Sequence, residues 1–145
     1  MTKFNKAELK FRKPQIRKPL DINRLEQKES LNRLLFGTAG FRVKSAGWIS
    51  ARQIEAARII LKRSLKNQGE LLWIRMRPQK AITCKKQGMR MGKGKGTAEL
   101  WVFPAYKGRV IFETFCSKRT DIPFKNAIRK LSLPIQLVYK KNCLF

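Results

Sequence analysis

Nine carboxylates stand against 34 lysine and arginine side chains in this chain, so ion pairing within the fold can neutralise only a minority of its cations. The rest must stay on the surface of whatever core forms, because a buried cation without a partner is among the costliest defects a protein can carry. The resulting formal net charge is +25. Like charges held on a small globule repel one another, and the repulsion is relieved when a polyanion neutralises them and sheds its own counterions. Nucleic acid is therefore the expected partner. The charge does not preclude a fold: 43% of the 145 residues are hydrophobic, too many for a disordered basic tail and enough to give one domain a real core.

The same inventory disfavours other chemistries. No uninterrupted apolar span of the ~20 residues that a membrane helix needs occurs, so no membrane association is expected. Cys84, Cys116 and Cys143 are odd in number and widely separated, and the chain has no histidine. A zinc site needs closely spaced Cys and His pairs, so the thiols read as reduced and packed, in keeping with a reducing compartment. The opening "MTKFNKAELKFRK" lacks the apolar centre of a secretory signal. Without histidine, and with carboxylates few and scattered, no acid–base pair for catalysis is visible. No enzymatic activity, metal, cofactor or self-association is expected.

Residues 1–35 divide into a basic arm, "KFRKPQIRKP", and a mixed stretch, "LDINRLEQKESLNRLL". Pro14 and Pro19 oppose regular structure before Asp21, after which Ile22, Leu25, Leu34 and Leu35 fall on loosely helical spacing. A folded domain is expected over 36–145. Its clearest element is "SARQIEAARIILKRSLKNQG", 50–69: Ser50 with Gln53 forms a capping box, Gly69 supplies a left-handed stop, and about five turns of helix fit between them. At about 100° per residue, Ile54, Ala57, Ile60, Leu61 and Leu65 share one apolar arc. The opposite arc carries Arg52, Arg58, Lys62, Arg63 and Lys66, interrupted by Glu55 alone. A charge run is ordinarily a solvated face, but mixed charges in i,i+4 pairs would be more stable in that role; five cations against one acid suit phosphate better.

From Leu72 the period is two. Leu72, Ile74 and Met76 are expected to face the core, with Trp73, Arg75 and Arg77 on the other side. That second row either stacks on bases and pairs with phosphates, or puts Trp73 in a second core layer under a covering loop; the pattern allows both. Further strands are expected near 41–44, 99–103, 109–115 and 134–140, with a turn at Gly108 joining the second and third. Between Pro123 and Pro134 a second amphipathic helix carries Phe124, Ala127, Ile128 and Leu131. The sum is an α+β domain: a two-layer sandwich of antiparallel sheet and two helices, with a basic N-terminal arm and a long glycine-rich basic loop.

That loop, 77–98, contains "GMRMGKGKGT". A Walker loop needs four residues between its first glycine and the Gly-Lys pair, whereas Gly88 and Gly92 enclose three. A dinucleotide fingerprint needs a glycine where Thr97 stands and a helix beyond it. Both nucleotide motifs fail. From Leu71 through Ala98 there are eight cations and no carboxylate. Gly92, Gly94 and Gly96 let backbone amides approach a phosphate, Arg90, Lys93 and Lys95 supply charge, and Met89 and Met91 offer pliable apolar contact to bases or ribose. Alone, the loop is expected to be a basic hairpin that orders on RNA.

"SARQIEAAR", "LLWIRMRPQKAIT" and "MRMGKGKGTAELWV", in that order, resemble the bacterial and organellar ribosomal protein number sixteen of the large subunit. The likeness runs from about Phe36 to Tyr139, with a smaller echo at "KFRK", 10–13. It implies an antiparallel sheet with packed helices, a site on large-subunit ribosomal RNA, a role late in subunit assembly, and a loop, Met89 through Gly96, that reaches toward the peptidyl transferase region and the A-site transfer RNA. It further implies ribosomal RNA contacts at Arg52 and Arg58 in the helix and at Lys10, Arg12 and Lys13 in the arm; the residue pattern itself adds Lys62, Lys66, Arg75, Arg77 and Lys80. This chain departs from the family at Pro14 to Leu35, where Asp21, Glu26 and Glu29 replace a short basic glycine-rich link, so a neighbouring ribosomal protein is expected along 21–35. It departs again at "MRPQKA", which stands where "FPDKP" is usual, with Lys80 retained. A mitochondrial ribosome is the expected location, with a bacterial cytoplasm or a plastid as alternatives. The residues also allow a transient RNA-binding factor and, less directly, a small nucleotide-dependent enzyme.

Overall fold

A computed structural model of the chain describes residues 29–66, 71–92, 94–115 and 121–140. In chain order these form α1 (Glu29–Asn32), β1 (Ala39–Val43), β2 (Gly47–Ser50), α2 (Ala51–Leu65), β3 (Leu72–Ile74), β4 (Lys80–Cys84), β5 (Thr97–Ala105), β6 (Val110–Thr114), α3 (Asp121–Ile128) and β7 (Ile135–Tyr139). The arm residues Lys10, Arg12 and Lys13, the stretch before Glu29 and the expected stop at Gly69 lie outside the described residues.

The α+β class stands, and all strand pairings are antiparallel. The strands divide between two sheets, however, one ordered β3-β6-β1-β7 and the other β2-β5-β4. The turn at Gly108 therefore does not close a hairpin; it carries the chain from the three-stranded sheet into the four-stranded one. The reason lies in β6, "VIFET", whose five residues are all buried. A strand buried on both faces is stable only with a neighbour on each side, and β1 and β3 fill those places, leaving β5 to pair with β2 and β4.

Register sets the core. Phe41 of β1 lies opposite Phe112 of β6, and both rings meet edge to face, 5.9 Å apart, while Phe124 of α3 meets Phe41 at 5.6 Å. All three are at most 2% exposed. Phe124 and Ala127 bring α3 onto this core as the spacing predicts, although the helix closes at Ile128 and Leu131 reaches the core from the following turn. Pro134 thus ends a turn rather than the helix.

Helix α2 begins as read from the sequence. Ser50 Oγ accepts from the Gln53 amide at 3.3 Å, and Gln53 Oε1 accepts from the Ser50 amide at 3.0 Å. Its inner face buries Ile54, Ala57, Leu61 and Leu65, with Ile60 partly covered. Each fully buried Leu or Ile stabilises the packing by about 1.5–3 kcal/mol. The described helix has 15 residues, about four turns; the rest of the expected span, 67–69, lies outside the described residues.

Two expectations are corrected after β3. The strand is three residues long, and although Leu72 and Met76 face the core as expected, the burial does not follow the pattern: Ile74 is 40% exposed, while the Arg75 side chain on the opposite face is only 10% exposed. Arg75 turns inward because the buried carboxylate of Glu113 lies within its reach. The long loop also shrinks. Residues 80–84 pair with 97–102 of β5, so the connection runs over 85–96 and has a hairpin stem. "KAITC" carries no clear alternation, and its strand state depends on β5 as a partner.

Candidate nucleic-acid interface

Three basic features flank this core. The outer face of α2 leaves Arg52, Lys62, Arg63 and Lys66 exposed. Arg58 differs from them: its guanidinium donates to both Glu55 oxygens, at 2.6 and 2.9 Å. Hydrogen bonding to Glu55 raises the Arg58 pKa, and the same bond lowers that of Glu55. The one acid on this face is therefore spent on Arg58, and the remaining cations form a face of single sign.

The second feature is the finger, 85–96, at the end of the β4–β5 hairpin. Lys85, Lys86, Arg90 and Lys95 are exposed, Met89 is 66% exposed and Met91 99%. Lys85 Nζ donates to the Gly92 carbonyl at 2.7 Å, and the Met89 amide donates to the Lys86 carbonyl at 3.2 Å. Gly88, Gly92 and Gly94 hold φ between 85° and 94° with open space around them. Only glycine takes that left-handed conformation cheaply, so these residues set the shape of the finger while leaving its backbone accessible. Lys93 lies outside the described residues.

The third feature is the base of the finger. Arg77 is exposed, and the Lys80 ammonium sits 5.4 Å from the centroid of the Trp48 ring. Arg75 does not join them. It is ion-paired with Glu113 Oε1 and also donates to the Arg33 carbonyl. Trp73, for which two roles were open, stacks on Phe36 at 6.0 Å, which agrees with a second packed layer under a covering segment.

That segment is a strap, 32–37, across the back of the four-stranded sheet. Glu113 Oε2 accepts from three successive amides, those of Leu35 at 3.0 Å, Phe36 at 2.7 Å and Gly37 at 2.9 Å. Arg42 donates to the Asn32 carbonyl at 3.0 Å, and Gly40, where any side chain would collide with Leu34, lets the strap lie close. The boundary expected at 35/36 falls within this strap. Burial pushes the Glu113 pKa up, but the three amides and Arg75 together outweigh it and hold the carboxyl below its ordinary value. Sequence reading missed Trp48 and Glu113 alike. For Trp48 an aromatic beside a predicted cap was the available signal; a Glu in an apolar strand was the signal for Glu113, since such a residue must have a partner.

Among the described residues no group of three or more His, Cys, Asp or Glu side chains is placed to hold a metal ion, and no helix is long and apolar enough to cross a membrane. The chain matches the family model described as Ribosomal protein L16p/L10e over residues 8–138. It belongs to this ribosomal protein family. The match takes in the arm, α2, the finger and nearly all of β7, and this family is structural rather than enzymatic. Among family members, the large ribosomal subunit protein uL16 of Porphyromonas gingivalis is 44% identical over 105 residues, 72% of this chain and 69% of the relative. That of Aeromonas hydrophila is 50% identical over 82 residues, 57% of this chain and 59% of the relative. That of Buchnera aphidicola is 39% identical over 108 residues, 74% of this chain and 79% of the relative.

Proposed function

We propose that the chain is a structural constituent of the large ribosomal subunit that binds large-subunit ribosomal RNA, supports assembly of the subunit and extends its finger toward the peptidyl transferase centre and the A-site transfer RNA. The observation that carries this reading is the finger itself: Lys85, Lys86, Arg90 and Lys95 are exposed, the sequence has no carboxylate from Leu71 through Ala98, and Gly88, Gly92 and Gly94 stand in open space. Such a segment gains little from its own domain and much from a polyanion. Arg52, Lys62 and Lys66 on α2, with Arg77 and Lys80 at the base of the finger, anchor the domain on RNA phosphates. Lys10, Arg12 and Lys13 of the arm add to that anchor. Arg58 and Arg75 take part through the groups they hold in place, since their guanidinia are already engaged by Glu55 and Glu113.

The stretch 21–35 meets a neighbouring ribosomal protein. Lys, Ile, Phe and Asn in place of Ala and Gly support a mitochondrial ribosome as the site of action, while the relatives above come from bacteria. The test is the salt dependence of binding to large-subunit ribosomal RNA. With on the order of ten phosphate contacts, affinity should fall about 10³-fold or more between low and moderate salt, and the chain should stay with the large subunit through a high-salt wash. A flat salt response, or loss of the chain in the wash, overturns the reading.

A further inference from the structure

The three-stranded sheet has an inner and an outer face. Ile49 of β2 and Phe103 and Ala105 of β5 point into the core, so Trp48, Ser50, Val102 and Pro104, which alternate with them, point away from it. Trp48 lies opposite Pro104, and Ser50 and Lys80 flank Val102 from its two sides. Because the Lys80 ammonium lies over the Trp48 ring, its side chain must cross β5. Val102 is 3% exposed although it lies outside the main core, as expected beneath that crossing. Trp48 and Lys80 themselves remain partly exposed, and among the described residues no carboxylate pairs with Lys80.

We infer that this outer face is a stacking platform for a single-stranded RNA base, with Trp48 supplying the ring and Lys80 the contact to the adjoining phosphate. Charge and continuity argue for it. A tryptophan ring and an unneutralised ammonium side by side match a nucleotide, whose base has a π-face and whose phosphate is anionic; an acidic peptide would use the ammonium and leave the ring idle. The strand that carries Lys80 runs directly into Lys85 and Lys86 of the finger, so a strand of RNA lying along the finger passes the platform at its base. The ring can leave the ammonium at little cost, since an exposed cation–π contact is weak.

This inference rests on the RNA-binding reading and deepens it by separating a base contact from the phosphate contacts. The test uses the full chain with two labelled strands of equal length, oligoadenylate and its abasic counterpart, which carries the same phosphates without bases. The wild type should bind both in a salt-dependent manner but prefer oligoadenylate by roughly five- to a hundred-fold, the range of one stacked base. Trp48→Leu should lose that preference and keep the salt slope; Trp48→Phe, which preserves a ring, should retain most of the preference. Lys80→Ala should make the slope shallower by about 0.7, the value for one phosphate of a single strand. Equal, salt-dependent binding of both strands by the wild type overturns the platform and leaves the RNA-binding reading standing. Failure to bind either strand overturns both. Circular dichroism confirms that each variant is folded before its binding is compared.

Discussion

Glu113 shows how one residue can fix a segment distant in sequence. Its carboxylate is fully buried, yet with three amides and a guanidinium as donors it is well solvated by the protein. Substituting Gln keeps the shape but replaces one oxygen with a donor that faces other donors, and it leaves the Arg75 cation without its counter-charge. Glu113→Gln is expected to cost about 3–5 kcal/mol, the range for breaking a buried pair, measured by urea unfolding. The pH dependence follows from the lowered pKa. A carboxyl whose folded pKa lies below its unfolded value contributes stability that is complete above the unfolded pKa and disappears as pH falls through the folded one. The contribution of Glu113 should therefore be intact above the ordinary value of 4.5 and decline below it. Wild type should lose stability through that acid range more steeply than Glu113→Gln, as read from unfolding midpoints at stepped pH.

Among the elements, α2 is the one whose ends and faces follow from local rules. Its capping box satisfies two amides that the first turn would otherwise leave open. Ser50→Ala is expected to cost about 1 kcal/mol, seen as a lower thermal midpoint with RNA contacts on the outer face unchanged. The turn after α3 reaches the cap: Ser132 Oγ donates to the Trp48 carbonyl at 3.0 Å and lies 3.4 Å from the capping oxygen Gln53 Oε1, so β2, the start of α2 and this turn form one unit. The finger follows the opposite rule. Its hairpin stem is held by β4 and β5, while its tip is set by glycine conformation and open space.

Across the whole molecule, the excess of cations is a property that pH leaves almost untouched. The chain has no histidine, the side chain that ordinarily changes charge between pH 5 and 8. Affinity for ribosomal RNA should therefore vary by less than about twofold across that interval at constant ionic strength, while falling steeply with salt; parallel titrations in pH and in salt check both. The fold places this charge on the outer face of α2 and along the finger, and the aromatic core of Phe41, Phe112 and Phe124 holds sheet and helix together behind them.

By itself the sequence determined the α+β class, the start and buried face of α2, the apolar face of α3, and the position and character of the finger. Each of these rests on spacings of two to four residues, on glycine conformation or on summed charge, all of which are local or additive. Only the tertiary structure decided that the strands form two sheets, that "KAITC" is a strand, that Arg75 turns inward and that Lys80 lies over Trp48. Glu113 grips amides 76 to 78 residues away in the chain. Strand pairing and the choice of counter-ion depend on such distant partners, and no local spacing encodes which of them the folded chain brings together.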